Sequence, residues 1–283
     1  MNIENYMFYV LYSLIYLALA VVMKYILNIK SASYYEADSQ IADGNIAVGL
    51  RRSGAQLGLA IAMIGVMSGS TNADWLSDIA TTVIYGLVAI GFMMTSLFIT
   101  DKAMLPKLNN TEELKKGNVA VGFVEFGTLI MTGILAYASI KGDEGGVLSS
   151  IIYFFVGQAS IIFLVFLYEK VLARKINPVA CIADANLSAG IYLSGKIIAY
   201  GLILQSAIIG SGNTASIGDA AIEYITAAIL GIVLLYLFEI LIDLVIITST
   251  KVRDIILKDQ LVAAIQLSFA KIGMALLLGM AIL

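Results

Sequence analysis

One short pattern occurs four times in this chain and constrains the fold more than any other feature. The copies begin at Asn45, Asn118, Asn186 and Gln260. In the first three copies, glycines follow the asparagine after four and nine residues, whereas the fourth copy has Ala264 and Phe269 at those positions. Repetition at a nearly constant interval indicates one structural unit that recurs, so the fold and the function both have to be derived through that unit.

The composition places this unit in a lipid bilayer. The 283 residues are 60% hydrophobic and 13% charged, with a mean hydropathy of +0.93. Soluble domains carry about 25% charged residues, so no soluble core would absorb this much apolar surface. Lipid offers the backbone no hydrogen-bond partners, and α-helices satisfy their own backbone groups. The composition therefore predicts an all-α membrane protein.

Eight apolar segments are long enough to cross a bilayer, since a spanning helix needs about 20 apolar residues. The segments are 6–28, 46–68, 75–100, 119–140, 147–168, 187–210, 221–247 and 261–283. Each copy of the pattern opens the second segment of a pair. We therefore predict a single membrane domain over 1–283 with eight transmembrane helices in four two-helix repeats, 6–68, 75–140, 147–210 and 221–283.

Two spans per repeat return the chain to the same side of the membrane, so the four repeats should be parallel and related by an axis along the membrane normal. The simplest packing of such repeats is a bundle with pseudo-fourfold or pseudo-twofold symmetry. This symmetry is an expectation that follows from the connectivity alone.

The connections between the segments differ in charge and indicate an orientation. Four long linkers, 29–45, 101–118, 169–186 and 248–260, hold 14 of the 17 lysines and arginines together with their immediate flanks. The short connections 69–74, 141–146 and 211–220 contain one basic residue, Lys141. Basic loops stay in the cytoplasm, so both termini should lie outside. Segments such as 111–116 are expected to add a short helix at the membrane surface.

Several classes of function are disfavoured by the residue types. The chain has no histidine, which removes the commonest proton shuttle and metal ligand, and the single Cys181 can form no internal disulfide. We expect no enzyme activity, no cofactor and no metal site. The net charge of −3 and the absence of a basic aromatic patch argue against a nucleic-acid partner.

The repeat anchors Asn45, Asn118, Asn186 and Gln260 stand where the charged linkers re-enter the membrane. Asparagine at this position caps a helix by accepting hydrogen bonds from the free N–H groups of the first turn. The interpretation as capping or interhelical packing stands beside a second one, in which the anchors bind a ligand. The spaced glycines predict close helix contacts, because small residues let backbones approach each other in lipid.

Charged residues within the apolar segments form the second candidate site. Lys196 and Lys271 follow their anchors by ten and eleven residues, which is about 15 Å and near mid-bilayer. A charge at that depth is costly and needs a partner. The predicted intramembrane polar cluster consists of Arg52, Glu125, Lys196, Glu239, Asp243 and Lys271.

Within this cluster, we expect Glu239 to pair with Lys271. Consecutive helices usually pack together, and Asp243 lies closer to the helix end, where it can be solvated. Three interpretations of the cluster stay open: a structural ion-pair network, a polar cavity for an ion or a lipid headgroup, and lysines that extend to the membrane surface.

The anchor strings, Asn followed by small and apolar residues and then by spaced glycines, resemble the bacterial inner-membrane family of domain of unknown function 350, typified by YjfL-type proteins. Asn45-Ile-Ala-Val-Gly49 and Asn118-Val-Ala-Val-Gly122 carry the resemblance. It implies a multi-pass protein of the bacterial cytoplasmic membrane with no established activity, in a setting of envelope stress.

Two functional hypotheses follow. In the first, the protein is a stress-linked or envelope-integrity component of the lipid bilayer whose cytoplasmic loops dock a soluble partner protein. In the second, it is a transporter or channel that passes an ion, a small charged solute or a lipid through the polar cluster. The resemblance favours the first, and the lysines near mid-bilayer favour the second.

Overall fold

The computed structural model describes residues 3–68, 75–106, 108–141, 146–174, 176–212, 216–248 and 250–282. Eight long helices are α1 (Ile3–Ser31), α3 (Ile46–Met67), α4 (Trp75–Ile99), α6 (Val119–Lys141), α7 (Val147–Leu167), α9 (Leu187–Ser211), α10 (Ile217–Val245) and α12 (Leu261–Ile282). Four short helices lie between them: α2 (Ala37–Ala42), α5 (Asn110–Lys115), α8 (Pro178–Ala183) and α11 (Val252–Leu257). Within the described ranges all regular secondary structure is helical, which confirms the all-α class.

Seven of the described helices are long and apolar enough to span a membrane, namely α1, α4, α6, α7, α9, α10 and α12. The polytopic membrane class is thereby confirmed. Helix α3 has 22 residues and is therefore about 33 Å long, but Arg51, Arg52 and Gln56 lower its hydropathy. The predicted count of eight spans is not confirmed. The short connections predicted to face outward fall largely on 69–74, 142–145 and 213–215, outside the described residues.

The long helices are arranged in two layers. Helices α3, α6, α9 and α12 form a central row in that order, in which each helix packs along the next. We call them the row helices. The other four long helices, α1, α4, α7 and α10, pack beside the row. The middle row helices α6 and α9 are the most buried, while α1 and α10 present exposed leucine, isoleucine and valine side chains suited to lipid.

Glycines set the spacing along the row. Nine residues after each asparagine, the glycine backbone touches the next row helix: a Cβ added to Gly54 would lie 2.9 Å from Phe126 Cα, and one added to Gly127 would lie 2.8 Å from Ser194 Cα. Gly195 meets Ser268 in the same way. These contacts are closer than any side chain permits, so glycine is required wherever a further helix follows.

The two ends of the row explain why the pattern changes there. Gly122 and Gly190, four residues after their anchors, lie against the preceding row helix, whereas a Cβ on Gly49 in the first row helix would meet no described atom within 4 Å. At the other end, Phe269 replaces glycine and is 70% exposed. No fifth helix covers it in the described part of the chain, so the glycine requirement disappears.

The row is open, with α3 and α12 at its two ends. Of the two symmetries expected, the pseudo-fourfold one is therefore wrong, because each unit packs on its successor and the last unit does not return to the first. Connectivity alone does not distinguish a closed bundle from an open row. The exposed Phe269 and the uncovered Gly49 show which one the chain adopts.

Candidate functional site

The four linkers end in the same local structure, which we call the anchor end of the protein. A six-residue helix, α2, α5, α8 or α11, begins eight residues before each anchor. The residue just before the anchor has a left-handed backbone, with φ of 86°, 79°, 59° and 49° at Gly44, Gly117, Ala185 and Asp259. The anchor N–H then donates to the carbonyl five residues earlier, at 2.8–3.0 Å in all four copies. The short helix expected around 111–116 is α5.

The three asparagines cap the row helices that follow them. Asn45 Oδ1 accepts from Val48 N at 3.2 Å, and Asn118 Oδ1 accepts from Val121 N at the same distance. Asn186 Oδ1 accepts from Ala189 N at 2.8 Å. Each bond satisfies one of the N–H groups that a helix start leaves without an intrahelical partner.

The amide nitrogens of the same side chains tie each unit to the next. Asn45 Nδ2 donates to Leu114 O at 2.9 Å, Asn118 Nδ2 to Ile182 O at 3.1 Å and Asn186 Nδ2 to Ile256 O at 2.7 Å. Every acceptor lies four residues before the following anchor. Since both polar atoms of each asparagine bind protein, the geometry favours capping and packing over a ligand role.

We expect Asn118→Ala to destabilise the protein by about 1–3 kcal/mol, because a helix cap and an inter-unit hydrogen bond are lost together at a buried position. Thermal or denaturant unfolding in detergent measures this. Gln260→Ala is the matched control in the fourth unit, which has no further unit packed on it in the described part of the chain, and should change stability less. Equal effects of the two substitutions would contradict the bridging role.

A buried ion pair joins the first two row helices. Arg51 on α3 and Glu125 on α6 form a two-point interaction, with Arg51 Nη2 donating to Glu125 Oε1 at 2.7 Å and Arg51 Nε donating to Oε2. The two side chains are 3% and 0% exposed. Longer contacts from the guanidinium reach Tyr35 and Thr111. Two parallel charge-assisted bonds fix the orientation of the helices as well as neutralise both charges.

Arg52, which the sequence places in the polar cluster, lies instead at its rim. Its guanidinium donates to Asp38 at 2.8 Å and to Asn28 at 2.7 Å. Lys24 also pairs with Asp38, at 2.9 Å. Hydrogen bonds from Lys24 and Arg52 lower the pKa of the Asp38 carboxyl to about 2, so that this exposed carboxylate stays ionised at neutral pH.

A second buried ion pair joins α9 and α10. Lys196 Nζ donates to Glu239 Oε2 at 2.6 Å, and the two side chains are 3% and 6% exposed. Lys196 also lies over the rings of Tyr168, Tyr192 and Tyr200, 4.9–5.9 Å from their centroids. The ring faces carry partial negative charge and stabilise an ammonium group that is removed from water.

Lys271 completes this second group from α12. Its Nζ lies 3.1 Å from Asp243 Oδ1, donates to the Tyr192 hydroxyl and stands 4.4 Å from the centroid of the Tyr192 ring. The expected pairing of Glu239 with Lys271 is therefore not the one observed, because Lys196 occupies Glu239 and Lys271 faces Asp243 a turn away. Asp243 remains 29% exposed, as expected from its place near the helix end.

The single predicted cluster is thus divided into two groups. Glu125 belongs with Arg51 between α3 and α6, and four other charged residues, Lys196, Glu239, Asp243 and Lys271, lie among α9, α10 and α12. The predicted cluster contained Arg52 and left out its neighbour Arg51. The available signal was its position six residues after one anchor, against Glu125 seven residues after the next. Within the described ranges, no group of three or more acidic or thiol side chains is placed to hold a metal ion.

Comparison with known proteins agrees with this two-part organisation. The family model described as Domain of Unknown Function (DUF350) matches residues 1–140 and 144–282, so that each match covers two of the two-helix units. A UPF0719 transmembrane protein of Aquifex aeolicus (strain VF5) is 27% identical over 187 residues, which cover 63% of this chain and 67% of that protein. No solved structure matches the chain. The chain therefore belongs to the DUF350 family of membrane proteins and carries two copies of its domain.

Proposed function

We propose that this chain is a non-catalytic component of the bacterial cytoplasmic membrane that supports envelope integrity by docking a soluble cytoplasmic protein on its anchor end. One observation carries the proposal. The four short helices are linked to one another through the same asparagine hydrogen bonds, so they form one continuous structure instead of four independent loops.

The chemistry of the anchor end suits a soluble partner. Exposed charges of both signs lie on it, among them Glu36, Glu112, Lys115, Arg253 and Lys258. A surface with interspersed charges selects a partner through electrostatic complementarity and register. The row of glycine contacts beneath it keeps the spacing of the short helices constant, which a docking surface requires.

The proposed orientation places the anchor end in the cytoplasm and both termini outside, following the basic linkers. The single native thiol, Cys181, is replaced by serine so that only an introduced cysteine can be labelled. In that background, a cysteine in place of exposed Ile217 should react with a membrane-impermeant maleimide in intact cells, and one in place of exposed Lys115 should react after lysis only. Labelling of Lys115→Cys in intact cells would show that the anchor end faces outward, opposite to the proposed orientation.

Docking is tested by site-specific photo-crosslinking in growing cells. A photo-reactive residue at Lys115 or Arg253 should yield a discrete adduct with a soluble protein, whereas the same residue at lipid-facing Leu277 should yield none. Mass spectrometry identifies the soluble protein in the adduct. That soluble protein is then purified and titrated against the membrane protein in nanodiscs. Failure of the purified pair to bind would contradict the proposal.

The alternative proposal is passage of an ion, a small charged solute or a lipid through the buried charges. Lys196 would then be required for flux, and proteoliposomes with the wild-type protein should differ from proteoliposomes with Lys196→Met. The closed pairing of Lys196 with Glu239 favours the docking component, because both charges are already neutralised by protein. Flux that depends on Lys196 would favour the transport proposal over the docking proposal.

A further inference from the structure

A lipid-facing groove separates α7 from α10. Both helices pack against α9, and the Ser160 and Tyr224 hydroxyls, 2.8 Å apart, bridge the two walls near one end. Leu164, Leu167, Ile232 and Val233 line both of the adjoining cavities that make up the groove, which have volumes of about 480 Å³ and 350 Å³. From Tyr224 to Glu239 along α10 the groove is about 22 Å long, which is most of the hydrocarbon thickness.

The groove opens sideways toward acyl chains. Phe163 and Ile229 on its rim are 63% and 60% exposed, and Val233 is 50% exposed. Lining of this kind accepts an apolar chain lying along the helix direction. Cavities of several hundred Å³ with apolar walls and a few polar groups are typical of small-molecule sites.

The end of the groove nearer the anchor end has an apolar lining that includes a few polar side chains. Glu239, Tyr200 and Tyr236 line it together with apolar residues. Glu239 is 4% exposed, and while its Oε2 accepts from Lys196, its Oε1 has no hydrogen-bond partner among the described residues. A buried carboxylate oxygen without a donor is costly, so a donor is expected to reach it.

The surrounding charges define the chemistry of that donor. Lys196 already balances Glu239, and Lys271 balances Asp243, so a cationic ligand would leave an excess positive charge in the hydrocarbon. A neutral hydroxyl supplies the missing hydrogen bond without that cost. Glu239 lies six residues before the end of α10, about 9 Å inside, too deep for a phosphate headgroup at the surface. The two tyrosine rings favour a planar aromatic end group.

We propose that the groove binds a long-chain hydroquinone, with its apolar chain between α7 and α10 and one ring hydroxyl donating to Glu239 Oε1. This assignment goes beyond the docking role and does not depend on it. The hydroquinone satisfies the free carboxylate oxygen, places its ring beside Tyr200 and Tyr236, and enters directly from the bilayer.

The test is calorimetric titration of the protein in phosphatidylglycerol nanodiscs with decylhydroquinone under reducing conditions, with empty nanodiscs as the reference for partition. We expect saturable binding at one site per chain. Decylquinone, which has no donor, and decanol, which has no ring, should each bind at least about tenfold more weakly. Equal binding of all three compounds would show that the groove accepts any apolar chain without recognising the ring or its hydroxyl, and would overturn the proposal.

Two kinds of variant locate the site. Val233→Trp fills the groove from its exposed side and should abolish binding, while Val262→Trp on the exposed face of α12 is the matched control and should leave it unchanged. Glu239→Gln should weaken binding by at least about tenfold. Because Glu239→Gln leaves Lys196 unpaired, the double variant Lys196→Met with Glu239→Leu serves as a second test. This double variant should also lose the preference for hydroquinone over decanol. Unchanged affinity in Val233→Trp, or retained preference in the double variant, would overturn the assignment.

Discussion

Replacing Arg51 with methionine is expected to lower the free energy of unfolding by about 3–5 kcal/mol, because Glu125 would be left as an unpaired charge with no exposed surface. This is one of the two largest effects expected in the chain. Denaturant titration of the purified protein in detergent measures it. Arg52→Met is the matched control, since Arg52 pairs with the half-exposed Asp38 at the rim and should contribute about 1 kcal/mol or less.

The double variant Arg51→Met with Glu125→Leu should be considerably more stable than Arg51→Met alone. Removing both charges also removes the cost of burying them, and apolar side chains of similar volume pack between the helices. The difference between the double variant and the sum of the single variants gives the interaction energy. Additive effects would mean that the two side chains do not stabilise each other, contrary to their two-point geometry.

Gly133→Leu should destabilise the protein by about 3 kcal/mol or more, or prevent folding, because α3 and α6 touch through their backbones at this point. A Cβ on Gly133 would lie 2.7 Å from Gly58 Cα, and one on Gly58 would lie 3.0 Å from the Leu129 carbonyl carbon. No side-chain rotation relieves an overlap with backbone, so the two row helices would have to separate.

The matched control is Gly91→Leu. Gly91 also lies within a long helix, but a Cβ there meets no described atom within 4 Å. Its variant should therefore be produced and should unfold almost like the wild type. Size-exclusion profiles and thermal unfolding in detergent compare the two variants. Similar stabilities would show that the contact between α3 and α6 is not needed for the fold.

Much of the local structure could be predicted because it depends on nearby residues. Helix starts follow from asparagine caps, and the charged segment 111–116 indicated a short linker helix. Apolar segments of about 20 residues indicate spanning helices without knowledge of their neighbours. The altered fourth copy, with Phe269 in place of glycine, is likewise evident from the sequence alone.

The charge pairing could not be predicted, because the two halves use different positions. In the first half, the pair joins two row helices close to their anchors, at Arg51 and Glu125. In the second half, Lys196 lies deeper and its partner Glu239 comes from a flanking helix. Equivalent positions in the repeats therefore do not carry equivalent charges, and counting from the anchors gives depth without identifying the neighbour.

The sequence by itself determined that this protein lies in a lipid bilayer, where its helices are and that they recur, because hydropathy, caps and small residues act within one segment. Only the tertiary structure decided that the units form an open row, that Glu239 faces Lys196, and that a groove remains between α7 and α10. These features depend on which helix lies beside which. Helix neighbours are set by the summed packing of many backbone contacts, such as Gly133 against Gly58, and no single segment contains that information.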